Sequence, residues 1–107
     1  MTKLAKAGRI AMGFQWDPDK SNANEEKHGL SFLQAAQIFR GPIHVIEDRR
    51  KNYGEPRFRA LGRFDDVILC VVFTKRDGDI RIISAWKAGR YEREIYEQAQ
   101  NTSLRDA

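Results

Sequence analysis

The run Val67-Ile68-Leu69-Cys70-Val71-Val72-Phe73 constrains the fold more than any other part of the chain. Seven apolar residues in a row leave no polar face, so the segment must be a strand covered on both sides. Its flanks supply the neighbours. Arg57 to Arg63 alternates, with Arg57, Arg59 and Arg63 on one face and Phe58 and Ala60 on the other. Asp77-Gly78 turns the chain into a β-branched strand from Ile80 to Trp86. Short links join these three strands, which predicts an antiparallel meander, and His44 to Glu47 adds a shorter strand before it.

Upstream the period changes. Phe14-Gln15-Trp16 reads as a short strand with both aromatics on one face. Asp17-Pro18 then opens a helix, with Asp as N-cap and Pro at the first helical position. It runs to about His28 and stops at Gly29, a left-handed C-cap. Ser31 with Gln34 forms a capping box for a second helix, whose apolar stripe is Phe32, Ala35, Ala36 and Phe39 and whose end is Gly41-Pro42. A last helix covers roughly Gly89 to Gln100, with Ile95 and Ala99 facing the sheet. The expectation is an α+β fold: a small antiparallel sheet with two N-terminal helices and one C-terminal helix, in the order β-α-α-β-β-β-β-α. Residues 1–12 read as a flexible basic tail, 13–101 as a single domain and 102–107 as a frayed C-terminus.

With 107 residues and 41% hydrophobic content there is room for one modest core. The net charge of +4 and a pI near 9.5 favour an anionic partner, nucleic acid or an acidic protein. No apolar stretch approaches a membrane span, and residues 1–13 lack the continuous apolar core of a secretory signal, so the reading places the chain in the cytoplasm. Cys70 is the single cysteine and reads as a buried structural thiol. His28 and His44 stand apart from each other and from any metal-binding spacing, so neither a metal nor another cofactor is expected.

What remains for chemistry is a set of cations, one well-placed histidine and aromatics. That set suits RNA cleavage through the substrate's own 2′-OH, which needs a base, an acid and cations for the phosphorane, and no metal. His28 ends the first helix beside Lys27, and the pair either caps the last carbonyls or works on a phosphate. Arg57, Arg59 and Arg81 lie on strands, as a solvated face or a phosphate-binding one. Tyr53 and Trp86 are candidates to stack on bases, with Trp86 equally suited to the core. Arg90 and Arg93 either extend the basic surface or pair with Glu94 and Glu97 along the helix.

In order and spacing, these residues resemble the BrnT toxin family. The opening carries Phe14-x-Trp16-Asp17-Pro18-x-Lys20, Asn24-x-x-Lys27-His28-Gly29 and Phe32-x-x-Ala35. Ile46-Glu47-Asp48, Gly54-Glu55-x-Arg57-Phe58, Gly62 and Arg81-Ile82-Ile83-Ser84-Ala85 follow, and Ala88 to Tyr96 with Arg90, Glu92 and Arg93 is similar to the family's terminal helix. The resemblance spans about residues 14–98. It implies a RelE-like fold, a metal-free ribonuclease of a type II toxin–antitoxin system, and a BrnA-like ribbon-helix-helix antitoxin. Operator DNA would be reached only through that antitoxin. On this reading Lys27, His28, Arg57 and Arg81 are catalytic, and Lys20, Arg59, Trp86, Lys87, Arg90 and Arg93 bind RNA.

One residue departs from the pattern. Where the family continues Ser-Ala-Arg, this chain has Ser84-Ala85-Trp86, which removes a fixed charge and a bidentate fork. The alternative reading is therefore a weakened or non-enzymatic member that still binds its antitoxin or nucleic acid.

Overall fold

A computed structural model describes residues 9–11 and 13–106. The order is β1 (Arg9–Ala11), β2 (Phe14–Gln15), α1 (Pro18–His28), α2 (Phe32–Ala36), a 3-10 turn (Gln37–Arg40), β3 (Ile43–Glu47), β4 (Phe58–Phe64), β5 (Val67–Arg76), β6 (Asp79–Lys87) and α3 (Arg90–Asp106). The α+β class and the order of elements are as expected, with one strand added at the front. The sheet has six strands in the order β1-β2-β6-β5-β4-β3. The meander β3 to β6 is antiparallel, whereas β2 runs parallel to β6, pairing Phe14 with Ile80 and Gln15 with Arg81. The sheet is therefore mixed, because the chain crosses from β2 through both N-terminal helices before it returns.

Two boundaries differ from the sequence reading. Arg9–Ala11, inside the expected tail, is a strand paired with β2; residues 1–8 and 12, the rest of that tail, lie outside the described residues. Helix α3 continues to Asp106, past the expected end near Gln100 and through most of the segment read as frayed.

The apolar run is β5, inside the sheet with seven successive buried residues. Its odd positions Leu69, Val71 and Phe73 join Ala60, Phe32, Ala35, Ile38 and Trp16 in the larger core, under α1 and α2. Its even positions Ile68 and Cys70 join Leu61, Ala88 and Tyr96 in a smaller core under α3. Aromatic rings tie the larger core together: Phe39 lies 5.4 Å from Phe14 and 5.5 Å from Phe73, and Phe58 lies 5.4 Å from Phe73. Gly62 lets the 3-10 turn approach β4 closely, since a Cβ there would fall 2.8 Å from that of Ile38.

Over the stretch where the two strands pair, β6 carries one residue more than β5. Val72 pairs with Ser84 and Phe73 with Ile82, so Ile83 is the extra residue of a bulge. Before it the even residues of β6 face the larger core (Ile82); beyond it the odd ones do (Ala85).

Helix α1 is capped as its sequence predicts. The Asp17 carboxylate accepts from the Asp19 N–H, and Gly29 takes φ 75° while its N–H donates to the Glu25 carbonyl. Its buried residues are polar: Ser21 and Asn24. The Ser21 hydroxyl accepts from the Phe32 N–H at 2.9 Å, locking α1 to the start of α2. The Asn24 amide donates to the carbonyls of Leu30 and Ala85, both at 2.9 Å, while its oxygen accepts from the Ala85 N–H at 3.2 Å. Beyond the short pairing with β2, the edge of β6 is thus continued at Ala85 by a side-chain amide.

Candidate functional site

The face of the sheet that carries α3 is only partly covered by that helix. From the register, Leu61, Cys70 and Trp86 form one row across β4, β5 and β6, and Arg59, Val72 and Ser84 form the next. Arg57, just before β4, continues the alternation beside Thr74, which pairs with Arg81. The rows run from an apolar end under α3 to a cationic end.

Trp86 is the point where elements distant in sequence meet. The His28 ring, at the end of α1, lies 6.3 Å from the indole. The Arg50 guanidinium lies 5.8 Å over it. The indole Nε1–H donates to Glu92 at 3.3 Å, and the other oxygen of Glu92 lies 3.7 Å from Arg59. The Asn24 contact with Ala85, one residue before Trp86, is what brings the last turn of α1 here.

Beside this cluster the segment between β3 and β4 wraps across the face. Arg50 grips Asp48 with two bonds of 2.8 Å, and the Asp48 N–H donates to the Arg57 carbonyl at 2.7 Å. The Asp48 side chain is fully buried, and the Arg50 bonds hold its pKa down at about 2. The same pairing raises that of Arg50. Arg57 stacks 4.3 Å from the centre of the Tyr53 ring and lies 3.5 Å from Glu55. The Nε groups of Arg57 and Arg59 are buried and have no hydrogen-bond partner.

The Asp48 geometry has a pH signature. Its depressed native pKa means that the pair stabilises the fold above the ordinary carboxylate value of 3.8, and that this is lost as pH falls toward about 2. Arg50 is half exposed, so we expect Asp48→Asn to cost about 1–2 kcal/mol at pH 6. The gap to the parent should close by about pH 2. Urea unfolding at several pH values measures it; a gap independent of pH would assign the loss to packing.

The structure gathers only part of the sequence-predicted set. His28, Arg59 and Trp86 share the cluster, with Arg57 beside it and Lys27 and Lys87 exposed next to His28 and Trp86. Neither Lys27 nor His28 bonds the last helix carbonyls among the described residues, although both stand in the last turn of α1. Arg81 is on the same face but nearer the other end of β6, where it donates to Gln15 at 2.9 Å. Arg90 pairs with Glu94 at 3.4 Å, and Arg93 donates to the Ala88 carbonyl at 3.1 Å, which are local helix contacts. Lys20 is exposed near the start of α1, about two turns from His28. Tyr96 is buried with its hydroxyl donating to the Pro42 carbonyl. Glu47 pairs with Arg49. Burial pushes the Cys70 thiol up to about 12, in keeping with a structural residue. The sequence reading gives Arg50 no place and Glu92 none beyond the resemblance; each reaches the cluster through a turn or a helix start that periodicity does not place.

A family model described as the ribonuclease toxin, BrnT, of type II toxin-antitoxin systems matches residues 16–92. The chain belongs to the BrnT family. The matched segment includes His28, Arg57, Arg59, Arg81, Trp86 and Glu92, so every residue of the Trp86 cluster lies within the BrnT match. No curated protein matches the chain significantly. Among the described residues no helix is long and apolar enough to cross a membrane, and no three histidine, cysteine or acidic side chains are grouped to hold a metal ion.

Proposed function

We propose that this BrnT-family chain cuts RNA on the α3 face of the sheet, by attack of a 2′-OH on the adjacent phosphate without a metal. The observation that carries the reading is the pair of buried guanidinium Nε groups, on Arg57 and Arg59, left without partners beside Trp86 and His28. Unpaired buried N–H groups are costly, and a phosphate that draws the two side chains outward offers the acceptors they lack. His28 acts as general acid or base. Lys27, Arg57 and Arg81 stabilise charge on the phosphorane, and Arg59 and Arg90 hold flanking phosphates. Lys20, Trp86, Lys87 and Arg93 add to binding.

The aromatics are already engaged. Arg50 lies over Trp86, and both Lys51 and Arg57 lie over Tyr53. A base that stacks on either ring must displace a cation, which then becomes available to the backbone. Arg50 also bears on the second reading, the weakened member, because it returns a positive charge to the position where tryptophan replaces the family's arginine. The toxin acts in the cytoplasm and is neutralised by a BrnA-like ribbon-helix-helix antitoxin, through which the pair reaches operator DNA.

Single-stranded RNA and the same strand with 2′-deoxy nucleotides decide the mechanism. The expected result is cleavage of the RNA alone, leaving 2′,3′-cyclic phosphate and 5′-OH ends, unchanged by EDTA. Loss of cutting in EDTA would overturn the metal-free step. Binding without cutting would establish the second reading.

A further inference from the structure

Glu92 sits at the third position of α3, among the basic residues, with no role in the scheme above. One oxygen accepts from the Gly89 N–H at 3.0 Å and from the Trp86 Nε1–H at 3.3 Å. The first bond is half of a capping box, and the second ties the helix start to the indole. The other oxygen faces an Arg59 terminal nitrogen at 3.7 Å. The two side chains are 18% and 23% exposed, so water screens this pair less than it does a surface pair. We infer that Glu92 is the positioning residue for Arg59, holding one end of the guanidinium so that the cation stands oriented before RNA arrives.

The inference rests on the RNA-cleaving reading and deepens it. A carboxylate beside a phosphate-binding arginine has two opposed effects. It repels the incoming polyanion, which weakens binding. It also fixes the arginine before the reaction, which reduces the ordering left for the transition state. Glu92→Gln separates the two, because glutamine can keep the acceptor that serves the helix cap and the indole while the charge facing Arg59 is lost.

The melting temperature of Glu92→Gln should stay within about 3 °C of the parent, since the cap survives. In RNA-free protein, the Arg59 Nε–H resonance should exchange with solvent about 10-fold faster than in the parent, because the guanidinium is no longer held. Turnover should fall about 10-fold while KM stays level or drops, and the turnover effect should vanish in an Arg59→Ala background. A purely structural Glu92 would move the melting temperature and leave kcat alone. A purely electrostatic one would lower KM alone. Either result, or an Arg59 resonance unchanged by the substitution, overturns the inference. A parent protein that cuts no RNA would defeat the ribonuclease reading, and the Arg59 exchange rate would still decide whether Glu92 holds that side chain.

Discussion

Asn24→Ala should destabilise the protein by about 3–5 kcal/mol, a large share of what a domain of this size has. The amide makes its bonds in a buried setting, to the carbonyls of Leu30 and Ala85 and from the Ala85 N–H, and it also lies 3.4 Å from the Ser84 hydroxyl. Alanine strands three buried backbone groups together, and α1 has few other inward contacts to absorb the loss, since its only other buried residue is Ser21. Asn24→Asp should do worse than alanine at neutral pH. The carboxylate still accepts from Ala85, but it turns negative charge onto two carbonyl oxygens that need donors. Asn22→Ala, exposed on the same helix, should lie within about 0.5 kcal/mol of the parent. Urea unfolding monitored by circular dichroism gives the comparison. A loss under about 1 kcal/mol for Asn24→Ala would mean that α1 is held by contacts other than this one.

His28→Ala should reduce RNA cleavage by about 100-fold or more while leaving the melting temperature nearly unchanged. The second half follows from position: the ring is half-buried and makes no hydrogen bond among the described residues, so little of the fold rests on it. The first half follows from its neighbours, Trp86 at 6.3 Å and, through the indole, Glu92 and Arg59. The pH dependence of the cleavage rate should change in the variant, because a proton-transfer group has been removed. RNA affinity should hold in His28→Ala, whereas Arg59→Ala should weaken binding and flatten its salt dependence. An active His28→Ala protein with the parent's pH profile would remove His28 from proton transfer.

Much of the fold is legible because strand burial and helix caps are written in short windows. The apolar run announces β5, Asp77-Gly78 announces the β5–β6 hairpin, and the Asp17-Pro18 and Ser31-Gln34 pairs announce α1 and α2. The inward side of α1 is not legible. The helix reads Pro-Asp-Lys-Ser-Asn-Ala-Asn-Glu-Glu-Lys-His, and its buried positions are a serine and an asparagine, so hydrophobic periodicity points nowhere. The orientation of His28 depends on that hidden amide contact. The site was half legible for the same reason: residue types announce a basic, histidine-bearing face, but neither Arg50 nor Glu92 joins it through any periodic pattern. Arg90 and Arg93, which sequence places beside the others, make local contacts at the start of α3, Arg90 with Glu94 and Arg93 with the Ala88 carbonyl.

The bulge in β6 gives one strand two phases. Had the strand kept a strict alternation after Ile82, Trp86 would point into the packed interior beneath α1 and α2, and Ala85 would stand among the arginines. The extra residue Ile83 reverses that assignment, so the half of β6 that belongs to the scaffold and the half that belongs to the site obey opposite reading frames. Loss of Ile83 alone would make Ile82 and Ser84 consecutive opposite Phe73 and Val72, a regular ladder that leaves Ala85 inside and Trp86 on the site. The strand can therefore change length at this one point without exchanging its faces, whereas a deletion at any regularly paired position shifts the two halves against each other.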